Sequence, residues 1–449
     1  MAWFRTFLGE SRSTLFLAVP MMAGQLSQML MGVADSAMVG RVGVVPLAAS
    51  SFANGLLSVP FLFALGLLQA ISVRASQAHG AGDRRETGEV LRHGLAITGV
   101  AGIGLVALTF VVGGFLGEFG QPPEVAAEAR AFFLLSGASM LPMLLAMSFK
   151  QFSEALDHPW PPMLILLGSV LLNIFLNWIL IYGNLGAPAL GLTGAGIATL
   201  LARTGALVAV VAYVFRARRF SDALPIAWRS PLVMARVRSL LRIGLPASAQ
   251  LLLEVTAFTV ATIMIGWLGA QQLAAHQIAL TCAATSFMFP LGIAMATTIR
   301  IGQALGANES GRVRAIGFTS FGLGLLIMCA TGLIFAFGNE WLARAFVGDI
   351  SVAALAARLL IIAAFFQLFD GLQVVGAGAL RGLNDATAPM VVCLVGYWIV
   401  FLPFAYLAAF RFGFGAAGIW CGLAAALGIV GVSLFARFVV KTASKPAIS

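Results

Sequence analysis

Charge is scarce in this 449-residue chain: Asp, Glu, Lys and Arg make up 10% of it, against roughly a quarter in soluble proteins. That scarcity excludes a water-soluble globular domain, as do the 60% hydrophobic content and the mean hydropathy of +0.98. Cysteine is almost absent. Cys282, Cys329, Cys393 and Cys421 stand isolated in apolar runs without paired spacing, which excludes a disulfide scaffold and a thiolate metal site. His79, His93, His158 and His276 show no ligand spacing, and only His276 is a weak candidate for handling protons. There is no G-x-x-x-x-G-K-[ST] loop and no polar stretch large enough for an ATPase domain. Motifs for a nucleophile, a metal or a cofactor are missing too, so an enzyme is not expected and no cofactor is implied.

What the chain has instead is apolar runs. They centre near Gly24, Val59, Gly104, Gly137, Val170, Leu207, Leu253, Phe287, Ile327, Phe365, Val400 and Leu427. Each is long enough to span a bilayer as a helix of roughly 20 residues. β-Barrel strands would be half as long and would alternate in polarity. The fold class expected is therefore an all-α polytopic membrane protein of twelve spans. The run that starts near Thr14 has no small-residue cleavage site after it, so it reads as the first span rather than a signal peptide.

Basic residues are distributed lopsidedly. Of 27 Lys and Arg, 21 fall at the N-terminus, in alternate loops and at the C-terminus, with the largest cluster between Arg216 and Arg242. The opposite loops hold Arg41, Arg130, Arg344, Arg358 and Arg411, and Arg203 lies within a span. The positive-inside rule then puts both termini in the cytoplasm, with the protein multi-pass in the cytoplasmic membrane. The net charge of +10 matches contact with anionic lipid, and no nucleic-acid partner is expected because no binding module accompanies it.

The sequence is duplicated. Shifted by 226 positions, 20 of the 62 residues from Pro20 to Ala81 match their counterparts from Pro246 to Ala307, where chance in so biased a composition gives roughly one in ten. Pro20/Pro246, Gly40/Gly266, Gly66/Gly292, Arg74/Arg300 and Gln77/Gln303 are among the matches. Six spans per copy is an even number, so the repeat is parallel, about an axis along the membrane normal. The expected division is an N-lobe over 1–215, a basic linker over 216–242, and a C-lobe over 243–449. Two lobes that can rock against each other, without a nucleotide engine, point to a secondary transporter. Pro20 and Pro246 lie inside the first span of each copy, as fixed kinks or as moving hinges.

Three carboxylates interrupt the spans: Asp35, Glu254 and Asp370. A charge at the centre of a spanning helix costs about 2.5–3.5 kcal/mol on insertion scales, so it persists where it faces a cavity, meets a cation or exchanges protons. Asn173 and Asn177 share one face of the fifth span at i, i+4. They could be interhelical glue or part of a pocket with Asp35, and their common depth in the outer half favours the pocket.

Together these residues resemble the multidrug and toxic compound extrusion (MATE) family, in its NorM-like bacterial branch. The stretches that carry the likeness run from Pro20 to Gly43 (PMMAGQLSQMLMGVADSAMVGRVG), Leu156 to Asn177 (LDHPWPPMLILLGSVLLNIFLN), Gly191 to Thr199 (GLTGAGIAT), Gly244 to Glu254 (GLPASAQLLLE) and Gln367 to Asp385 (QLFDGLQVVGAGALRGLND). The resemblance implies two six-helix bundles forming a V, and cation-coupled efflux of drugs. It implies an N-lobe proton or substrate pocket of Asp35, Asn173, Asn177 and Thr199, and a C-lobe cation site of Glu254 and Asp370. Two carboxylates close together must share a proton or hold a cation, so Na⁺ or H⁺ is the coupling ion expected there. Small organic compounds and membrane lipids are the expected partners, and the chain is expected to be monomeric. Alternatives from the residues are a lipid-linked oligosaccharide flippase of the related superfamily, and a passive channel or scaffold.

Overall fold

The computed structural model describes residues 2–443, and every regular element among them is helical. Twelve helices are long and apolar enough to cross a membrane: α1 (Phe7–Gly40), α2 (Val44–Gly80), α3 (Arg84–Gly113), α4 (Pro123–Ala155), α5 (Trp160–Tyr182), α6 (Gly191–Arg216), α7 (Met234–Gly266), α8 (Ala270–Gly306), α9 (Ser310–Phe346), α10 (Ile350–Gly382), α11 (Thr387–Arg411) and α12 (Gly415–Ala443). Each contains one of the apolar centres read from the sequence. The chain is thus a multi-pass membrane protein of twelve helices.

The duplication is visible in the backbone. α2 and α8 have equal length and begin and end 226 residues apart. Both are followed by a left-handed residue in the same place, Gly82 (φ 71°) after α2 and Asn308 (φ 60°) after α8. Glycine and asparagine are residues that tolerate that conformation. The turns after α4 and α10 repeat the device with Asp157 (φ 64°) and Asn384 (φ 61°).

Proline acts differently from helix to helix. α1, α2, α7 and α8 continue through Pro20, Pro60, Pro246 and Pro290. α4 instead breaks at Ser139, where Pro142 cannot donate to the carbonyl four residues earlier. α11 takes π-helical turns over Leu394–Phe401 and Leu407–Arg411, on either side of Pro403, which shifts the hydrogen-bond register around the missing donor.

The chain folds as two compact units, residues 1–22 with 249–449 and residues 23–248. Each unit takes the first part of the other copy's first helix. In the 23–248 unit, the start of α7 is pinned by Arg236 to Glu86 at 2.7 Å and by the Val233 N–H donating to His93 Nε2 at 2.9 Å. Arg74 donates to Ser239, and Arg92 to the Ser230 carbonyl. In the other unit the start of α1 is held by Arg300, which pairs with the Glu10 carboxylate and donates to Thr14 Oγ1 at 2.6 Å. Arg312 adds a 3.2 Å contact to Glu10. Glycines at equivalent positions admit these segments: Gly66 lies against Ser248, and Gly292 against Met22 and the Ala18 carbonyl.

Candidate functional site

In the 23–248 unit, the polar residues of α1, α5 and α6 form one hydrogen-bonded row. Asn177 Nδ2 donates to Asp35 Oδ1 at 2.6 Å and to Asn173 Oδ1 at 3.2 Å, and Asn173 Nδ2 donates to Thr199 Oγ1 at 3.4 Å. The i, i+4 spacing of the two amides makes the row possible, since it stacks them on one face of α5. Asn173 and Asn177 are fully buried, Thr199 is buried and Asp35 is partly exposed. The structure therefore brings together all four residues named for the N-lobe pocket. Asn177 Oδ1 has no hydrogen-bond partner although it is buried. A buried acceptor left open is costly, about 1–3 kcal/mol, and marks a place where a ligand or a water can donate.

The second cluster lies in the other unit, on α7, α10 and α11. Gln373 Nε2 donates to Glu254 Oε1 at 3.2 Å, and Tyr397 donates its hydroxyl to Gln373 Oε1 at 2.6 Å. Asp370 sits one turn before Gln373 on α10 and is 4% exposed. Gln373 bridges α7, α10 and α11 beside the two acids. Gln250 is one turn before Glu254 and buried, and its Oε1 is unpartnered. This cluster can hold a proton or a small cation: it offers carboxylate and amide oxygens, the ligands that hard cations take.

Gln250, Gln373 and Tyr397 were not singled out from the sequence. A signal existed: each Gln stands three or four residues from an acid on an otherwise apolar helix, a spacing that places amide and carboxylate on one face.

His276 is fully buried and held at both ring nitrogens. Trp420 Nε1 donates to Nδ1 at 3.1 Å, and Thr262 Oγ1 lies 2.9 Å from Nε2. Trp420 has only a donor to give, so Nδ1 is an acceptor and the imidazole is neutral, with its hydrogen on Nε2 facing Thr262. Thr262 passes its own hydrogen to the Phe258 carbonyl at 3.0 Å. A ring so committed joins α7, α8 and α12 rather than carrying protons. The four cysteines are free thiols.

Comparison with known proteins follows the same division. The sequence profile of the family described as MatE matches residues 20–179 and 246–407, two segments that begin at the equivalent prolines. The protein named "Probable multidrug resistance protein NorM" from Bradyrhizobium diazoefficiens is 38% identical over 433 residues, covering 96% of this chain and 93% of its own. Its namesake from Mesorhizobium japonicum is 35% identical over 449 residues, covering 98% and 96%. Among solved structures, the eukaryotic MATE transporter AtDTX14 superposes with a TM-score of 0.88 at 22% identity, over 98% of each chain. The D35N mutant of the Vibrio cholerae MATE transporter VcmN gives 0.90 at 22% identity, over 98% of this chain and 99% of its own. At such identities the structural likeness establishes the fold.

Proposed function

The chain belongs to the MatE family and is a transporter rather than an enzyme, and from that premise we propose that it is a secondary active multidrug efflux antiporter of the bacterial cytoplasmic membrane. It exports organic compounds, often cationic or amphiphilic, in exchange for Na⁺ or H⁺ by alternating access. The names of its NorM relatives support the substrate class. The observation that carries the reading is the two separate polar clusters built around carboxylates within membrane spans, Asp35 in one compact unit and Glu254 with Asp370 in the other. Charges in such places are retained where they do work on ions or substrates.

In this reading Glu254 and Asp370 hold the coupling cation. Their mutual repulsion is relieved when one proton or one Na⁺ arrives, which ties the state of that unit to the ion gradient. Asp35, Asn173, Asn177 and Thr199 form the proton or substrate pocket of the other unit. Pro20 and Pro246 each stand two residues before a point where the chain passes from one unit to the other, which supports a hinge at each. The asymmetry of basic residues supports cytoplasmic termini.

The test is dye transport in inverted membrane vesicles with Na⁺ and pH gradients imposed separately. Accumulation driven by at least one gradient is expected. Equal dye movement with and without both gradients would leave a passive pore as the better reading.

A further inference from the structure

Arg203 is the basic residue that the sequence leaves within a span, and the proposed function gives it no task. It stands about a dozen residues from either end of α6, roughly 18 Å along the axis from the nearer one. An arginine side chain does not cover that distance, so the guanidinium cannot snorkel to the headgroups. A charge held at such depth is paired or lines a cavity.

The surroundings show how it is held. Arg203 Nη1 donates to Ser139 Oγ at 2.7 Å, and Ser139 Oγ donates in turn to the Ser136 carbonyl at 2.6 Å. Ser139 is the point at which α4 breaks. Arg203 also follows Thr199 by one turn, on the same face of α6, which puts it beside the row that ends on Asp35. The row thus runs from Asp35 through Asn177 and Asn173 to Thr199, with Arg203 one turn beyond it, so the two charges stand at its opposite ends. The same row contains the open, buried acceptor Asn177 Oδ1.

We infer that Arg203, at the end of this row opposite Asp35, offsets its charge, and that the two together, by bringing the pocket close to zero net charge, set the charge class of compound it admits. The inference rests on the reading of the pocket as a substrate site. With Asp35 ionised, the carboxylate and the Asn177 oxygen face an ammonium group, and the guanidinium is there for an anionic group. A molecule that carries both charges is matched at both ends. A bare organic cation meets Asp35 with its attraction offset by Arg203.

The experiment is equilibrium binding of two fluorescent probes to the purified full-length protein: ethidium, a permanent cation, and rhodamine B, a zwitterion at neutral pH. Arg203→Gln leaves the pocket negative, so the ratio of ethidium to rhodamine B affinity is expected to rise on the order of tenfold. Asp35→Asn leaves it positive, and the ratio is expected to fall by a similar factor. Arg203→Lys keeps the charge and is expected to keep the ratio. The opposite signs of the two neutralising variants distinguish charge from structural damage, and Arg203→Met supplies the neutral variant if Arg203→Gln does not fold. A ratio unchanged in Arg203→Gln, or equal loss of both probes in Arg203→Gln and Arg203→Lys, overturns the inference. Wild-type efflux of both dyes by Asp35→Asn would instead overturn the reading of the pocket itself.

Discussion

Replacing Gly378 by alanine tests how tightly α10 is seated in its unit. A Cβ added at Gly378 would lie 2.5 Å from the Ala294 carbonyl oxygen and 3.0 Å from its carbonyl carbon and Cα. All three atoms belong to the α8 backbone, so no side chain can swing aside. Ordinary carbon contacts begin near 3.5 Å, so the two helices must part by about 0.5–1 Å. Thr298 Oγ1 donates to the Gly378 carbonyl at 2.8 Å across the same interface, and separation stretches that bond. Overpacking of this kind costs about 1–3 kcal/mol, and an interhelical hydrogen bond within the membrane adds roughly 0.6 kcal/mol. Alanine's better helix propensity returns about 1 kcal/mol, leaving a net loss of about 0.6–2.6 kcal/mol. For a unit of this size that lowers the melting temperature by about 2–4 °C per kcal/mol. The assay is thermal unfolding of the purified protein in detergent. Gly104→Ala and Gly338→Ala serve as controls, because a Cβ at either meets nothing within 4 Å. A Gly378→Ala protein as stable as the controls would refute the reasoning.

Asp385, in the turn between α10 and α11, is pushed up by burial but held below the usual carboxylate range by Arg437 at 2.9 Å and Lys441 at 3.0 Å. Its contribution to stability is therefore present above the unfolded value near pH 4 and lost as pH falls through the lowered one. Asp385→Asn is expected to destabilise by under about 1 kcal/mol at pH 7, the partners being half exposed, and the difference from wild type in pH-dependent melting should vanish in acid. Trp420→Phe removes the donor to His276 Nδ1 and is expected to cost about 1–3 kcal/mol in stability, while the pH profile of efflux stays unchanged; an altered profile would make His276 a proton carrier. A cysteine at Arg229, in a chain stripped of its four native cysteines, is expected to react with an impermeant thiol reagent from the cytoplasmic side only.

Much of the fold was legible because a bilayer demands it. Runs of apolar residues centred near Val59 and Phe287 cannot be anything but spans, and the matches from Pro20 to Ala81 betray the duplication without any structure. The acids at 35, 254 and 370 stood out for the same reason, as rare charges in apolar surroundings. The neutral polar groups around them did not. Gln373 and Tyr397 are ordinary in composition, and only the packing of α7, α10 and α11 shows that one bridges Glu254 and the other holds the bridge. The points where the chain changes unit were also hidden, because α1 and α7 run on as continuous apolar helices through Pro20 and Pro246. Pro142 and Pro403 look the same in sequence as the prolines that helices absorb, yet one accompanies a break and the other sits between π-helical turns.

The coupling role of Glu254 and Asp370 is tested most directly by a double-mutant comparison. Gradient-driven dye efflux is measured for Glu254→Gln, Asp370→Asn and the pair, under Na⁺ and under proton gradients. Two acids that serve one ion act as a unit, so either single change should abolish coupling and the double variant should be hardly worse than either. Independent losses that multiply in the double variant, or wild-type coupling in both singles, would contradict a shared cation site.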